Sequence, residues 1–421
     1  MGGAPRTVTA DEALAVVTTG MTVASGSLSA EPVVLLEALG RRCAEIGPIS
    51  LISGMLLDGY TALAPHLGND IRLVSWFMPQ ALLGDVELGP HVDFLPLTWV
   101  QTYRFVERRA EIDVCLLQVS PADASGCHSV GISGSLNRLL ARRARVVIAQ
   151  VNLAMPYTGG DTLLHASEID YLVEHEAPLR PFPHRSPDGK DAAVAAHVAT
   201  LVPDGVTIQG GIGTVPESVL RLLAAQGRTG LRLTSQLTDA GRGLVEAGCC
   251  VDDAPAAVVG EILGSRELYR WVDRNPRIEI RDALGTHSLA ALAAGGPFVS
   301  INSTLEVDLY GQLNSEVVGR GQAGGIGGSI DFVMAAQLDG GRSIVALPST
   351  TGRGQSRIVP VIDKGLVTVP RTLVQFVVTE HGIADLRGLT DDERAKRLIS
   401  IRDSMPRSAR RDQSSSPSAR I

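Results

Sequence analysis

The chain has 421 residues, 44% of them hydrophobic, and its 38 Lys and Arg against 45 Asp and Glu give a formal net charge of -7. This length and apolar content predict two or three hydrophobic cores and exclude an intrinsically disordered protein. The acidic balance excludes a large basic surface, so we expect no nucleic-acid partner. The sequence has neither a run of 18 apolar residues nor a charged start followed by an apolar core, so we expect no membrane span and no secretory signal.

The cysteines indicate reduced thiols rather than a disulfide framework. They are odd in number, lack CxxC spacing and lie mostly beside apolar residues, at Cys43, Cys115, Cys127, Cys249 and Cys250. We therefore expect a cytoplasmic protein. The sequence also lacks an HExxH motif and paired Cys/His spacing, so it predicts no metal site.

The first half of the chain alternates predicted helices with short, β-branched strands. Thr9 and Glu12 form a capping-box pattern, which predicts a helix from Ala10 to Val17. Further strands are predicted at 21–24, 49–53, 112–119 and 145–151, and helices near 32–39 and 136–144. Such alternation predicts a largely parallel sheet covered by helices, with ligands at the carboxyl ends of the strands.

A proline-rich segment separates the two halves of the chain. Residues 178–189 carry frequent prolines and cannot continue a helix or a central strand, so they predict a linker. We therefore expect two similar open α/β domains with mainly parallel sheets, at residues 1–190 and 191–404. The Arg- and Ser-rich residues 405–421 are predicted to form a disordered tail.

Two glycine turns in the second half each precede a predicted helix. Strands are predicted at 206–209, within 230–241, and at 298–301, 343–347 and 376–382, and helices at 216–223, 329–336 and 390–401. The turns are GGIG at 210–213 and GGIGG at 324–328. Glycines let backbone N–H groups approach an anion or a carbonyl oxygen closely, and a helix start adds the favourable end of its dipole. We interpret both turns as ligand-binding edges.

Short motifs run in a specific order along nearly the whole chain, from about residue 22 to residue 401. They include VSP at 119–121, HASEID at 165–170, QGGIG at 209–213, NSE at 314–316, GGIGG at 324–328, SRIVP at 356–360 and TEHGIADLRG at 379–388. Together they resemble the acetyl-CoA hydrolase/transferase family, particularly acetate and 4-hydroxybutyrate CoA-transferases. The resemblance implies an acyl-CoA and a carboxylic acid as substrates, and a homodimer or larger homo-oligomer.

The resemblance also implies a covalent mechanism. In that family a glutamate carboxylate attacks the acyl-CoA, an acyl-glutamyl anhydride forms, and CoA returns to give a glutamyl-CoA thioester that a second carboxylate opens. Glycine loops donate backbone hydrogen bonds to the thioester oxygen. The residues implied to bind CoA are Gly211, Ile212, Gly213, Gly324, Gly325, Ile326, Gly327, Gly328, Glu380 and His381.

The position of the family's nucleophile holds a glutamine in this chain. The aligned stretch, residues 234–241, reads TSQLTDAG and places Gln236 where the family has its glutamate. A carboxamide is a poor nucleophile and cannot form a glutamyl thioester reversibly, so the resemblance implies a changed mechanism unless another carboxylate substitutes. Asp239 is the nearest candidate. Other carboxylates near the glycine loops are Glu217, Glu306 and Glu380.

Three functions remain open from the sequence. A CoA-transferase or acyl-CoA hydrolase would use Gln236 to orient the thioester or a water molecule. A non-catalytic CoA-binding protein would keep the glycine loops without turnover. A sugar-phosphate isomerase rests on fold analogy alone. It would need a Lys or His partner for a carboxylate base, and Lys190, Lys364 and Lys396 are predicted in a linker, a turn and a helix, which argues against it.

Overall fold

The computed structural model describes residues 4–78, 92–183, 185–319 and 321–403, so the predicted tail lies outside the described residues. In the first half, the strands are β1 (Arg6–Thr7), β2 (Thr22–Ser25), β3 (Ile49–Ile52), β4 (Ile71–Ser75), β5 (Val92–Phe94), β6 (Ile112–Val119), β7 (Cys127–Ser129), β8 (Ala144–Val151), β9 (Leu163–His165) and β10 (Tyr171–Glu174). The helices are α1 (Ala10–Leu14), α2 (Val33–Ile46), α3 (Gly59–Leu63), α4 (Trp99–Arg108) and α5 (Asn137–Arg143).

The first large sheet is fully parallel and is covered by helices on both faces. Its strand order is β1-β10-β8-β6-β2-β3-β4-β5. Successive residues of β6 point to opposite faces, as the period of a strand requires. Leu116 packs in one core with Leu35 of α2, whereas Leu117 packs in another with Val106 of α4 and Leu140 of α5.

The second half contains a second large sheet and several short strands. The strands are β11 (Thr207–Gly210), β12 (Arg232–Leu237), β13 (Ala257–Ile262), β14 (Ile278–Ile280), β15 (Phe298–Asn302), β16 (Glu306–Asp308), β17 (Leu313–Asn314), β18 (Val317–Val318), β19 (Gly321–Gln322), β20 (Arg342–Ala346), β21 (Ile358–Val359), β22 (Phe376–Thr379) and β23 (Gly382–Asp385). The helices are α6 (Gly189–Ala199), α7 (Thr214–Ala225), α8 (Asp239–Glu246), α9 (Arg266–Trp271), α10 (Ala283–His287), α11 (Leu289–Ala294), α12 (Ser329–Ala335) and α13 (Asp391–Ser400).

The second sheet has the order β14-β13-β12-β11-β15-β20-β22-β23 and is parallel except for its last pair, β22 and β23. The strands that follow β11 in the chain, β12 and β13, lie on one side of it in the sheet, whereas the later strands β15 and β20 lie on its other side. The boundary between β11 and β15 is therefore a topological switch point, where open α/β sheets bind ligands. The prediction of two open, mainly parallel α/β sheets is confirmed.

One sequence prediction in the linker is wrong. Lys190 lies in α6, because the Asp188 side chain accepts hydrogen bonds from the backbone N–H groups of Lys190 and Asp191 and starts the helix there. The predicted helix at Ala10 does begin with the Thr9–Glu12 capping box, but it ends at Leu14. A division of the chain after residue 190 would fall within the first turn of α6 and stays a prediction.

Tyr269 of α9 joins the two halves of the chain through its buried hydroxyl. The hydroxyl donates to Ser29 Oγ at 3.0 Å and accepts from the Gly264 N–H at 3.3 Å. The side chain is 2% exposed and packs in the second half's core.

We expect Tyr269→Phe to lower the free energy of unfolding by about 1–2 kcal/mol, because two buried polar groups lose their partner. Urea unfolding followed by fluorescence measures the change. Tyr310→Phe is the control, because Tyr310 is 42% exposed, and it should change stability by less than about 0.5 kcal/mol. Equal effects of the two substitutions would contradict the assignment.

Candidate active site

A pocket of about 290 Å³ lies where the carboxyl ends of strands from both large sheets meet. Residues following β2, β3 and β4 line it from the first half, and residues at the ends of β11, β12, β13 and β15 line it from the second. The lining includes Ser27, Leu28, Gly54, Met55, Trp76, Phe77, Gln209, Gly211, Ile212, Ser235, Gln236, Glu261, Leu263, Asn302 and Ser303. The pocket therefore occupies the switch point of the second sheet.

This pocket brings together many, though not all, of the residues predicted to form the site. Its lining contains Gln236, Gly211 and Ile212 of the first glycine turn, and the segment Gly325–Gly328 of the second. Gly213, Gly324, Asp239, Glu380 and His381 are not among its lining residues. A larger groove of about 700 Å³ lies elsewhere, beside Leu153 and Arg266, and none of the glycine-turn residues lines it. We therefore take the smaller pocket as the candidate active site.

Gln236 lies at an irregular point of β12. The register between β12 and β13 shifts between Ser235 and Gln236, and Ser235 has a φ of 75°, in the left-handed region that non-glycine residues rarely adopt. Such irregularities redirect side chains and cluster at functional sites. Both side chains consequently line the pocket, although successive residues of a regular strand face opposite ways. The Gln236 Nε2 donates to the Gly210 carbonyl at 2.9 Å.

Glu261 of β13 is the carboxylate of the pocket. It is the register partner of Gln236 on the neighbouring parallel strand and is 9% exposed. Its Oε2 has no hydrogen-bond partner among the described residues. Burial raises the pKa of Glu261 from 4.5 to about 7, and Ser133 and Ser135 lower it by less. Glu261 is not among the site residues predicted from the sequence, although an acid within the apolar stretch AAVVGEIL at 256–263 is a usable signal.

A loop of the first half is bound to the backbone around Glu261. The Gly134 N–H donates to the Gly260 carbonyl at 2.8 Å, and the Ile262 N–H donates to the Ile132 carbonyl at 2.8 Å. The approach needs glycine at 260, because a Cβ there would lie 2.2 Å from Ser135 Oγ. Both halves of the chain therefore fix the position of Glu261.

An aromatic wall, formed by Trp76, Trp99, His287 and Phe332, closes another side of the pocket. The ring centroids are 6.3 Å apart for Trp76 and Trp99, 6.0 Å for Trp99 and His287, and 4.6 Å for His287 and Phe332. Burial lowers the pKa of His287 to about 3, so its imidazole is neutral at neutral pH. The wall thus adds an apolar, uncharged surface beside Glu261.

The second glycine turn reaches the aromatic wall through close backbone contacts. A Cβ at Gly325 would lie 2.3 Å from the Trp76 carbonyl oxygen, and one at Gly328 would lie 2.6 Å from the rings of His287 and Phe332. The Trp99 N–H also donates to the Gly327 carbonyl at 3.0 Å. Glycine at 325 therefore lets this turn pack against Trp76 in the first half of the chain, and glycine at 328 lets it approach His287 and Phe332 in the second half.

The other candidate carboxylates have partners outside the pocket. Asp239 accepts hydrogen bonds from the backbone N–H and hydroxyl of Ser265, at 2.8 and 2.6 Å. Glu380 accepts from the Ser349 N–H at 2.7 Å and pairs with Lys190 at 3.3 Å. The Glu217 carboxylate lies 3.8 Å from the Arg221 guanidinium, and the Glu306 carboxylate accepts a hydrogen bond from the Asn314 side chain at 2.8 Å. The imidazole of His381, which was also predicted to bind CoA, lies 3.8 Å from the carboxylates of Glu380 and Asp403. Assignment of a role to any of these residues stays a prediction.

Comparison with known proteins identifies the family. The model of the acetyl-CoA hydrolase/transferase N-terminal domain matches residues 84–182, and that of the C-terminal domain matches residues 264–413. A 4-hydroxybutyrate coenzyme A transferase of Clostridium kluyveri is 34% identical over 403 residues, which cover 94% of each chain. The chain belongs to the acetyl-CoA hydrolase/transferase family. The predicted resemblance is confirmed, and the family's members include CoA-transferases and acetyl-CoA hydrolases.

Two further relatives extend the comparison. A butyryl-CoA:acetate CoA-transferase of Anaerostipes caccae is 30% identical over 424 residues, covering 93% of this chain and 92% of its own. The crystal structure of RipA from Yersinia pestis superposes with a TM-score of 0.88 at 32% identity, covering 94% of each chain. The fold and the family therefore extend over nearly the whole sequence.

We expect Glu261→Gln to change how stability depends on pH. Glu261 ionises near pH 7 in the folded chain, against 4.5 for an ordinary glutamate. The folded state therefore loses about 3 kcal/mol as pH rises from about 4.5 to about 7, at about 1.4 kcal/mol per pH unit. The variant lacks this loss, so its stability relative to the unsubstituted protein should rise over that range in urea titrations.

Glu246→Gln serves as the matched control, because Glu246 is an exposed residue of α8 that pairs with Arg242. Its stability difference from the unsubstituted protein should stay nearly constant with pH. A Glu261→Gln difference that is equally constant would contradict the buried, poorly solvated carboxyl described above.

We expect Gly325→Ala to weaken CoA binding by about tenfold or more, equivalent to about 1.4 kcal/mol, because the new methyl group displaces the turn from Trp76. Titration calorimetry with CoA measures the change. Gly243→Ala is the control, since a Cβ there would meet no atom within 4 Å. Equal affinities of the two variants would show that the second glycine turn does not contribute to binding.

Proposed function

We propose that this protein moves CoA between a short-chain acyl-CoA and a carboxylic acid, or releases CoA by hydrolysis. One observation carries the proposal: a single pocket at the switch point gathers both glycine turns, Gln236 and a buried carboxylate. Family membership agrees with this chemistry. The relatives' names suggest 4-hydroxybutyrate, butyrate and acetate as the first acids to test.

The pocket contains backbone hydrogen-bonding groups and an apolar surface, both of which thioester chemistry requires. Glycine turns at Gly211 and at Gly325–Gly328 present backbone groups that we assign to the CoA thioester and its carbonyl oxygen. The aromatic wall and Leu263 offer an apolar surface to a short acyl chain. Exclusion of water from such a surface strengthens every hydrogen bond made to the reacting carbonyl.

Gln236 cannot act as the nucleophile that the family resemblance implies at its position. Its Nε2 donates to the Gly210 carbonyl, a hydrogen bond that an ionised glutamate cannot make. The carboxamide is thus held in a defined orientation and remains a poor nucleophile. We assign it the role of orienting the thioester or a water molecule.

We propose a cytoplasmic homodimer or larger homo-oligomer as the working form. The five cysteines are all free thiols, four of them buried, which suits a reducing compartment. In the residues that the structure describes, no helix is long and apolar enough to cross a membrane. Light scattering on the purified protein measures the assembly, and a monomeric mass at working concentration would contradict it.

We expect the purified protein to exchange CoA between an acyl-CoA and a free acid. Acetyl-CoA, butyryl-CoA and 4-hydroxybutyryl-CoA are each incubated with isotopically labelled acetate or butyrate, while free thiol is followed in parallel. Labelled acyl-CoA indicates transfer, and thiol without labelled acyl-CoA indicates hydrolysis. Saturable CoA binding with neither product would overturn the proposal in favour of a binding protein.

A further inference from the structure

We propose that Glu261 is the catalytic nucleophile of this chain, attacking the acyl-CoA thioester from the strand beside the position that Gln236 occupies. The inference rests on the proposed function and adds the residue that performs it. Gln236 and Glu261 are register partners on adjacent parallel strands. Such strands lie about 4.8 Å apart, so the carboxylate is displaced by roughly one strand spacing within the same pocket.

The surroundings of Glu261 are those of a reacting group rather than of a structural one. Among the described residues it is the one Asp or Glu that lines the pocket, and its Oε2 has no hydrogen-bond partner there. Hydrogen bonds from Ser133 and Ser135 lower its pKa by less than burial raises it, and no cation in the described part of the chain pairs with it. Structural carboxylates in protein interiors are usually paired or hydrogen-bonded, because burying an unpaired acid is costly. Asp239 and Glu380, by contrast, have hydrogen bonds to both carboxylate oxygens.

The neighbouring groups let Glu261 ionise without bringing a second charge into the pocket. On β12 its register partner Gln236 is neutral, and on α10 His287 is neutral at working pH. The first-half loop presents Ser133 and Ser135, whose hydroxyls carry no charge. On β14, Glu279 is paired with Arg281. A glutamate at 236 would place two carboxylates on adjacent register positions, and their repulsion would oppose ionisation of both.

The reaction balances without an external oxidant or metal. A carboxylate oxygen of Glu261 forms a bond to the thioester carbon, the C–S bond breaks, and CoA leaves as the thiolate, giving an acyl-glutamyl anhydride. The thiolate then attacks the Glu261 side-chain carbonyl and releases the original acid as its carboxylate. The acceptor carboxylate attacks the glutamyl-CoA carbonyl, the C–S bond breaks, and CoA leaves again as the thiolate, giving a second acyl-glutamyl anhydride. The thiolate then attacks the acceptor's acyl carbon, the anhydride C–O bond to that carbon breaks, and the new acyl-CoA is formed. Glu261 is thereby regenerated as the carboxylate.

Hydroxylamine trapping identifies the acylated residue directly in the unsubstituted protein. The protein is incubated with acetyl-CoA, quenched with hydroxylamine and digested, and the peptides are analysed by mass spectrometry. We expect a glutamyl hydroxamate at Glu261 that depends on acetyl-CoA. A hydroxamate at another residue, or turnover with no hydroxamate at all, would overturn the proposal while leaving the proposed function intact.

Variants test the same assignment through activity. We expect Glu261→Gln to lower CoA exchange by at least about a thousandfold, because the nucleophile is lost. The double variant Gln236→Glu with Glu261→Gln returns the carboxylate to the other strand. It should recover measurable exchange and move the hydroxamate to position 236. Glu246→Gln, on the surface of α8, should leave exchange unchanged.

The outcomes separate the two proposals. If the unsubstituted protein neither exchanges nor hydrolyses acyl-CoA, the proposed function fails and the nucleophile assignment falls with it. If the unsubstituted protein is active and folded Glu261→Gln keeps its exchange rate, only the nucleophile assignment is overturned. Circular dichroism establishes that the variants are folded before their rates are compared.

Discussion

The chemistry that we propose depends on the parallel pairing of β12 with β13. It places Gln236 and Glu261 at register positions of adjacent strands, and the irregularity at Ser235 directs two consecutive side chains of β12 into the pocket. A regular register would turn one of these side chains away, because strand residues alternate between faces. The position of the carboxylate relative to the amide therefore depends on this strand pair.

The two halves of the chain complete the site jointly. Backbone hydrogen bonds tie Gly134 to Gly260 beside Glu261, and the second glycine turn packs on Trp76. Each contact needs the absence of a side chain, which explains two of the glycines in physical terms. Burial between the halves also explains why Glu261 has a raised pKa, because the carboxylate is removed from water without gaining a cationic partner.

Much of this architecture is predictable from local sequence patterns. The capping box at Thr9, the alternation of strands and helices, and the glycine turns each follow from short-range chemistry, and the structure contains all of them. Glu261 was missed because its importance comes from its pairing with Gln236, 25 positions earlier in the chain. The aromatic wall could not be predicted from the sequence for a similar reason, because Trp76 and Trp99 line the same pocket as the distant Phe332 only in the folded chain. Lys190 was misplaced because the capping effect of Asp188 outweighed the nearby prolines.

Oxygen-isotope transfer tests the central claim most directly. If Glu261 forms the anhydride, the bridging oxygen comes from the acceptor acid and remains on the enzyme when the anhydride is opened. Turnover with acetyl-CoA and ¹⁸O-labelled acetate should therefore place ¹⁸O in the side-chain carboxylate of Glu261, detectable in its proteolytic peptide. Active turnover with no label at Glu261, or with label on another residue, would contradict the account.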